Sequence, residues 1–266
     1  MTQSDQPFIY AVADGVATIT FNRPDAMNSL DVATKLALRT AVLDAAEDQA
    51  VRCVVLTGTG RAFCVGQDLK EHIAILASSS SDELFKTVPE HYNPIVTALA
   101  TMPKPVIAAL NGVAAGAGAS LTLACDFRVA ADTAGFNLAF AGVALSCDTG
   151  SSWTLPRLVG RAKAMELLYF PRTISAAESA ELGLVTKVVP AADLGAEVAQ
   201  MAQDLATGPT VAFGAIRRAI EHSAGHDLES SLEFEAEMMA LTGATLDHQQ
   251  AVASFVAKEK PEFEGR

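Results

Sequence analysis

The stretch PVIAALNGVAAGAGASLTLAC, residues 105–125, decides how the chain is read. It runs twenty-one residues without a charge, long enough on length alone to cross a bilayer. Its interior argues for burial in protein instead. Asn111-Gly112 breaks it into PVIAAL, an apolar run of strand length, and the Gly/Ala-rich GVAAGAGASLTLAC, which reads as a buried helix. Working outward, the flanks repeat this alternation. Ala17, Ile19 and Phe21 alternate with Thr18 and Thr20 up to the turn Asn22-Arg23-Pro24, as in a half-buried strand. Leu36, Leu38, Val42, Leu43 and Ala46 follow Asp31 at helical spacings, and a second strand, 52–57, ends at Gly58-Thr59-Gly60. A helix is expected from about Asp82 to Ala100, and DFRVAA at 126–131 reads as a strand. Strand and helix in alternation make the fold class α/β. Past about residue 190 only helical patterns remain, with apolar faces at Leu194, Val198, Met201 and Leu205 and at Ala251, Val252, Phe255 and Val256. The expected organisation is a core domain over 1–190 and a helical portion over 191–266.

Composition narrows the function. Of 266 residues, 50% are hydrophobic and 19% charged, as in a globular chain. The 19 basic residues against 31 acidic ones give a net charge of -12, which removes the counterion-release drive for nucleic-acid binding. Cys53, Cys64, Cys125 and Cys147 show no metal or disulfide spacing, the histidines are scattered, and no metal site is expected. The start MTQSDQPFIYAVADG lacks the basic and apolar regions of a signal peptide, so a cytoplasmic location is expected, with no membrane partner.

Two glycine-rich strand-to-helix junctions carry the candidate chemistry. In VGQDLKE, Asp68 and Glu71 make a capping box. GVAAGAGASL has no side-chain cap, which leaves backbone N–H groups for an oxyanion or phosphate. The dinucleotide fingerprint fails at both junctions, and no Walker A sequence occurs. Gly118-Ala119-Ser120 approaches a nucleophile elbow, with His222, His226 or His248 as a base, but the closing Gly is missing. Asp148, beside Thr149-Gly150, reads as a helix cap or turn residue, or as an acid/base. Trp153 reads as core.

Together these segments resemble the crotonase superfamily of enoyl-CoA hydratases and isomerases over residues 8–263. FNRPDAMNSL, RAFCVGQDL, MPKPVIAALNGVAAGAG, CDFRVAA and ISAAESAELGLVTKVV match its motifs in order and spacing. FCVGQDL, HYNP at 91–94, GVAAGAGASL and LSCDTGSSWTLPR resemble most the branch of ring-epoxide phenylacetyl-CoA isomerases. The resemblance implies a spiral of strand-strand-helix repeats, with C-terminal helices that build trimers, commonly stacked as hexamers. It implies an acyl-CoA substrate, no cofactor beyond that coenzyme A, and an oxyanion hole from the backbone N–H groups of Gln67 and Ala117. Coenzyme A would lie along Val65, Gly66, Gln67, Asp68 and Leu69, beside Arg23, Ala26 and Gly116. Lys258 stands where the family often supplies a cation to the phosphates, and it reads equally as a solvated lysine. Residues 70–95, with the serine run 78–81, would shape the acyl pocket together with Tyr92 and Phe140.

One departure matters. The positions of the two hydratase glutamates hold Ser120 and Phe140, and neither can serve as a general base unaided. Asp148 matches the acid/base carboxylate of the isomerase branch. The resemblance therefore implies a double-bond shift by Asp148. A 2-enoyl-CoA hydratase that activates water with Asp148 alone or with help from Ser120, and an acyl-CoA binder without catalysis, remain as alternatives. Cys147 replaces the usual Pro before this Asp and reads as a small core residue.

Overall fold

The computed structural model describes residues 6–78 and 84–266. A six-stranded sheet has the order β1 (Phe8–Ala13), β2 (Val16–Phe21), β3 (Cys53–Gly58), β5 (Val106–Leu110), β7 (Phe127–Ala131), β10 (Lys187–Val189). A four-stranded sheet has the order β4 (Ala62–Cys64), β6 (Val113–Ala115), β8 (Gly135–Asn137), β9 (Ile174–Ser175). Pairing is parallel except for β1 with β2 and β8 with β9. Three times the chain leaves a strand of the large sheet, turns a short corner and enters a three-residue strand of the small one: β3 to β4, β5 to β6, β7 to β8. This is the crotonase spiral.

Helices fill the connections. α1 (Val32–Glu47) returns β2 to β3, α2 (Leu69–Ser78) follows β4, and α3 (Asn93–Thr101) leads into β5. α4 (Ala117–Leu123) follows β6, and α5 (Ser151–Val159), α6 (Arg161–Tyr169) and α7 (Ala176–Glu181) lie between β8 and β10. The residues of β5 are all buried, because the strand is central and covered on both faces. Past β10 come α8 (Leu194–Ala206), α9 (Thr210–Ser223), α10 (Leu228–Gly243) and α11 (Leu246–Ala257). α8 lies on the large sheet and buries Leu194, Val198, Ala202 and Ala206. Among the described residues, no helix is long and apolar enough to cross a membrane.

Several expectations need correction. β1 was not read, because beyond Phe8 and Ile9 it is exposed and carries no alternation. Its signal is the turn: Asp14 and Gly15 both have positive φ, as a two-residue hairpin with Asp-Gly requires. In α1 the buried face runs through Thr34, Lys35, Leu38, Ala41, Val42 and Ala45, while Leu36 and Leu43 face outward. The helix expected over 82–100 is interrupted by a wide π turn at Val88–Tyr92 before α3. Ser79, Ser80 and Ser81 lie outside the described residues. Trp153 is not core: it is 39% exposed on α5, with the Arg157 guanidinium 4.1 Å from its ring centroid. On α11, Val252, Phe255 and Val256 are exposed, so that apolar face is not packed within the chain.

Asp126 ties the C-terminal helices to the sheet. Its Oδ2 accepts from Val106 N at 2.7 Å and its Oδ1 from Arg217 Nε at 2.8 Å, while Arg217 also donates to the carbonyls of Leu99 and Met102. Asp126→Ala leaves a buried strand N–H and a guanidinium without their acceptor. It is expected to destabilise the fold by about 2 kcal/mol, a melting drop of about 4–8 °C; a melting curve that superposes on the parent's contradicts this.

Candidate active site

Two strand-to-helix corners meet at the ends of β4 and β6. A Cβ on Gly118, in the first turn of α4, would stand 2.1 Å from the Cys64 carbonyl oxygen. Gly66, at φ +83°, would with a Cβ meet the Ala115 oxygen at 2.9 Å and Ala117 N at 3.1 Å. Glycine at these two positions is what lets the backbones touch.

The contact leaves two backbone donors without acceptors on the two adjoining corners. Leu30 bridges the 66–68 loop, donating from its N–H to Gly66 O (2.8 Å) and accepting from Asp68 N (3.1 Å). This parallel bridge skips Gln67, whose N–H has no acceptor among the described residues. Ala117 opens α4, whose N-cap, Gly116, has no side chain to satisfy it; the Ala117 N–H is likewise unpaired among the described residues. Such fixed donors suit an oxygen that gains negative charge.

Asp148 reaches this place through α5. Ser120 Oγ lies 2.5 Å from Ser151 Oγ and donates to Gly116 O at 3.0 Å, while Ser151 N donates to Asp148 O at 3.0 Å. The first turns of α4 and α5 are thereby pinned together. Thr149 and Gly150, both at positive φ, turn the chain so that Gly150 heads α5 and the Asp148 side chain caps nothing. Its carboxylate accepts from Thr149 Oγ1 at 2.8 Å, and no cation pairs with it among the described residues. Burial pushes its pKa up, only partly offset by that bond and by its own backbone N–H. Cys147, partly buried, packs against the core.

Asp68 does cap α2, accepting at Oδ1 from Lys70 N and Glu71 N. Its Oδ2 accepts from Ser29 Oγ and from Arg23 Nη2, each at 3.0 Å. Burial alone would raise the Asp68 pKa, but these bonds outweigh it and hold the carboxyl below its ordinary value. Glu71 does not complete the capping box; it accepts from Val32 N at the start of α1. Arg23 also pairs with Asp31 at 3.0 Å, and its bond to Asp68 holds the turn Pro24–Ala26 against the Val65–Leu69 loop. Leu69 is 56% exposed beyond it.

Tyr92 and Phe140 are both buried, and Tyr92 is joined to the loop: its hydroxyl donates to Gln67 Oε1 at 2.6 Å. Burial, then the nearby Asp148 charge, keeps the Tyr92 phenol well above its ordinary pKa. Lys258 is not brought here. It ends α11 in the left-handed conformation, and no hydrogen bond or ion pair joins it to the loop among the described residues. No histidine bonds to Ser120 among the described residues, so the nucleophile-elbow reading fails. A cavity of about 480 Å³ between β2, β3, β5 and α8 has none of the site residues in its wall.

The family model described as enoyl-CoA hydratase/isomerase matches residues 11–266. The chain belongs to that family. It is 40% identical to the 1,2-epoxyphenylacetyl-CoA isomerase of Escherichia coli over 96% of this chain and 97% of that one. A Rhodobacter capsulatus protein named probable enoyl-CoA hydratase is also 40% identical, over 97% of each. A crystal structure of an enoyl-CoA hydratase/isomerase-class protein from Mycobacterium abscessus superposes with a TM-score of 0.93 at 41% identity, covering 97% of this chain and 100% of that one. Family membership makes this an acyl-CoA enzyme.

Sequence reasoning missed Ser29, Ser151 and Lys35. The signal for Lys35 was present: it lies three residues before Leu38 and seven before Val42, on the apolar face of α1.

The raised pKa of Asp148 has a consequence for stability. Because the folded chain holds this proton more tightly than the unfolded chain, whose carboxyl titrates near 3.8, the site's contribution to stability falls as pH rises through the folded pKa. Asp148→Asn is expected to melt above the parent at pH 7, with the gap closing as the pH drops below the ordinary carboxylate range. A lower melting temperature at pH 7 contradicts that electrostatic reading.

Proposed function

We propose that this enzyme shifts the double bond of an unsaturated acyl-CoA through a dienolate, with Asp148 as the only acid/base. The observation that carries this reading is a partly buried carboxylate of raised pKa, without a cationic partner, pinned through Ser151 and Ser120 to the helix turn that presents the Ala117 N–H. Asp148 takes a proton from C2 of a 3-enoyl-CoA. The thioester oxygen, gaining charge as C1–C2 becomes a double bond, is held by the N–H groups of Gln67 and Ala117, and it gives that charge back as C2–C3 becomes double on protonation at C4. Asp148 then returns the proton at C4, and the product is the 2-enoyl ester at unchanged mass.

The two-carboxylate route to hydration finds no support at the matching positions. Phe140 has no proton to move, and the Ser120 hydroxyl is engaged by Gly116 O and Ser151. Ser120 is thus assigned a bracing role between α4 and α5. The hydratase alternative draws on the Rhodobacter capsulatus relative's name. In it Asp148 alone would activate water. The Escherichia coli relative's name makes a ring-bearing phenylacetyl-derived acyl group the first to try beside straight chains, which would set the enzyme in cytoplasmic phenylacetate breakdown.

The coenzyme A moiety is assigned to the Val65–Leu69 loop with Arg23, Ala26 and Gly116, and the acyl end to Tyr92 and Phe140. Exposed Leu228, Leu232, Met239, Phe255 and Val256 on α10 and α11 support a trimer or a hexamer built through these helices, where Lys258 of one chain could serve a neighbour's site. Light scattering should then give three or six times the 27.7 kDa chain mass, and a monomer or dimer excludes it.

The test of function is product analysis after parallel incubation with a 3-enoyl-CoA and its 2-enoyl isomer. Conversion of the 3-enoyl ester without mass change, reduced at least about a hundredfold in Asp148→Asn while ligand binding persists, is the expected result. Rapid gain of one water by the 2-enoyl ester restores the hydratase. Binding without conversion of either, unchanged in Asp148→Asn, supports the binder.

A further inference from the structure

A lysine is buried behind the proposed oxyanion hole. Lys35, on α1, is 1% exposed. Its Nζ donates to Gln67 Oε1 at 3.1 Å and to Thr87 Oγ1 at 2.8 Å, stands 3.8 Å from Glu71 Oε2, and lies 5.6 Å from the centroid of the Tyr92 ring. Burial lowers its pKa, against the opposing charges of Glu71, Asp31 and Asp68.

The arrangement is costly for a fold to keep. An ammonium withdrawn from water is destabilising unless each proton finds an acceptor, and an apolar side chain of the same length would fill this place without that penalty. What the charge does is grip one residue. Gln67 Oε1 accepts from both Lys35 and the Tyr92 hydroxyl, and Gln67 Nε2 reaches Glu71 Oε2 at 3.5 Å. Tyr92, at the end of the π turn, bonds the same Gln67 oxygen as Lys35, while Thr87, just before that turn, anchors the Lys35 ammonium rather than Gln67. Thr87 Oγ1, which accepts from Lys35 Nζ, is also 3.0 Å from His91 Nδ1, and this second bond holds the hydroxyl in place.

We propose that Lys35 is a positioning residue for this enzyme: by holding the Gln67 side chain from α1, with Thr87 and Tyr92 as co-anchors, it fixes the direction of the Gln67 backbone N–H toward the thioester oxygen. The inference rests on the reading of Gln67 as an oxyanion donor. The Leu30 bridge pins the backbone carbonyl before Gln67 and the N–H after it. The Gly66 carbonyl and the Gln67 N–H share one peptide plane, which Leu30 holds at its carbonyl end; the side-chain grip holds the same plane at its Gln67 Cα end. Preorganisation of this kind acts on the bound thioester and on turnover, with little effect on how tightly the coenzyme A portion is held.

The probe is butyryl-CoA carrying ¹³C at its thioester carbonyl, a small ligand without a double bond, read by infrared difference spectroscopy. A carbonyl held by two donors absorbs at lower frequency than in water. In Lys35→Met, at saturating probe, this displacement is expected to fall to about half or less, with the dissociation constant within about threefold of the parent's and kcat on the 3-enoyl ester down about tenfold. Thr87→Val, which keeps the charge and removes one anchor, is expected to show a smaller change in the same direction. It decides the matter should Lys35→Met fail to fold by circular dichroism. A parent-like carbonyl frequency and kcat in folded Lys35→Met, or in Thr87→Val where that variant decides, overturns the positioning role and leaves the oxyanion hole standing. No frequency displacement in the parent protein, or no binding of the probe, overturns the oxyanion reading itself and this inference with it.

Discussion

The site depends on a backbone contact that no side chain could survive. α4 begins against β4 so closely that a methyl group on Gly118 would stand 2.1 Å from the carbonyl of Cys64. That approach sets the Ala117 N–H beside the Gly66 loop, and it is possible because both corners of the spiral use residues with little or no side chain. The spiral itself supplies the corners: each time a strand of the large sheet turns into the small one, the chain emerges at the same end of the molecule. Two such emergences, after β4 and after β6, bring together segments about fifty residues apart in the chain.

Around this contact the electrostatics are divided between two charges withdrawn from water that keep different company. Asp148 has a hydroxyl and its own N–H for company, so burial leaves it eager for a proton. Burial disfavours the Lys35 charge as well, but a carboxylate, a hydroxyl, an amide oxygen and an aromatic face offset part of that cost and hold the ammonium in place. A carboxylate that must gain and lose a proton benefits from sparse solvation, while a group that must hold still benefits from a full set of partners. Asp68 belongs with the second kind: it serves as cap to α2, partner to Arg23 and acceptor for Ser29 at once.

Much of this was legible in the chain because its features are local. The buried strand at 106–110, the uncapped helix after Gly116 and the Asp68 cap each follow from a few consecutive residues. The motif order carried the family and, with it, the pairing of Gln67 with Ala117, which no spacing rule could have supplied. What was not legible is what depends on neighbours distant in sequence. β1 pairs along one edge and shows little alternation. On α1, Leu38 and Val42 mark the buried face, but what accommodates a lysine on it, Gln67, Thr87 and Tyr92, comes from elsewhere in the chain. The π turn at Val88–Tyr92 has no period of its own between flanking helical residues, and Trp153, large and apolar, stays at the surface under Arg157. On α11 the periodicity revealed an apolar face without revealing that the chain itself does not cover it.

The central claim is that the unpaired N–H groups of Gln67 and Ala117 hold a thioester oxygen within reach of Asp148. A crystal structure with a saturated acyl-CoA bound tests this most directly. The account predicts the thioester oxygen within hydrogen-bond distance of both nitrogens, about 2.7–3.2 Å, with the α carbon facing the Asp148 carboxylate. A thioester whose oxygen points to solvent or to any other donor, or whose α carbon faces away from Asp148, contradicts it.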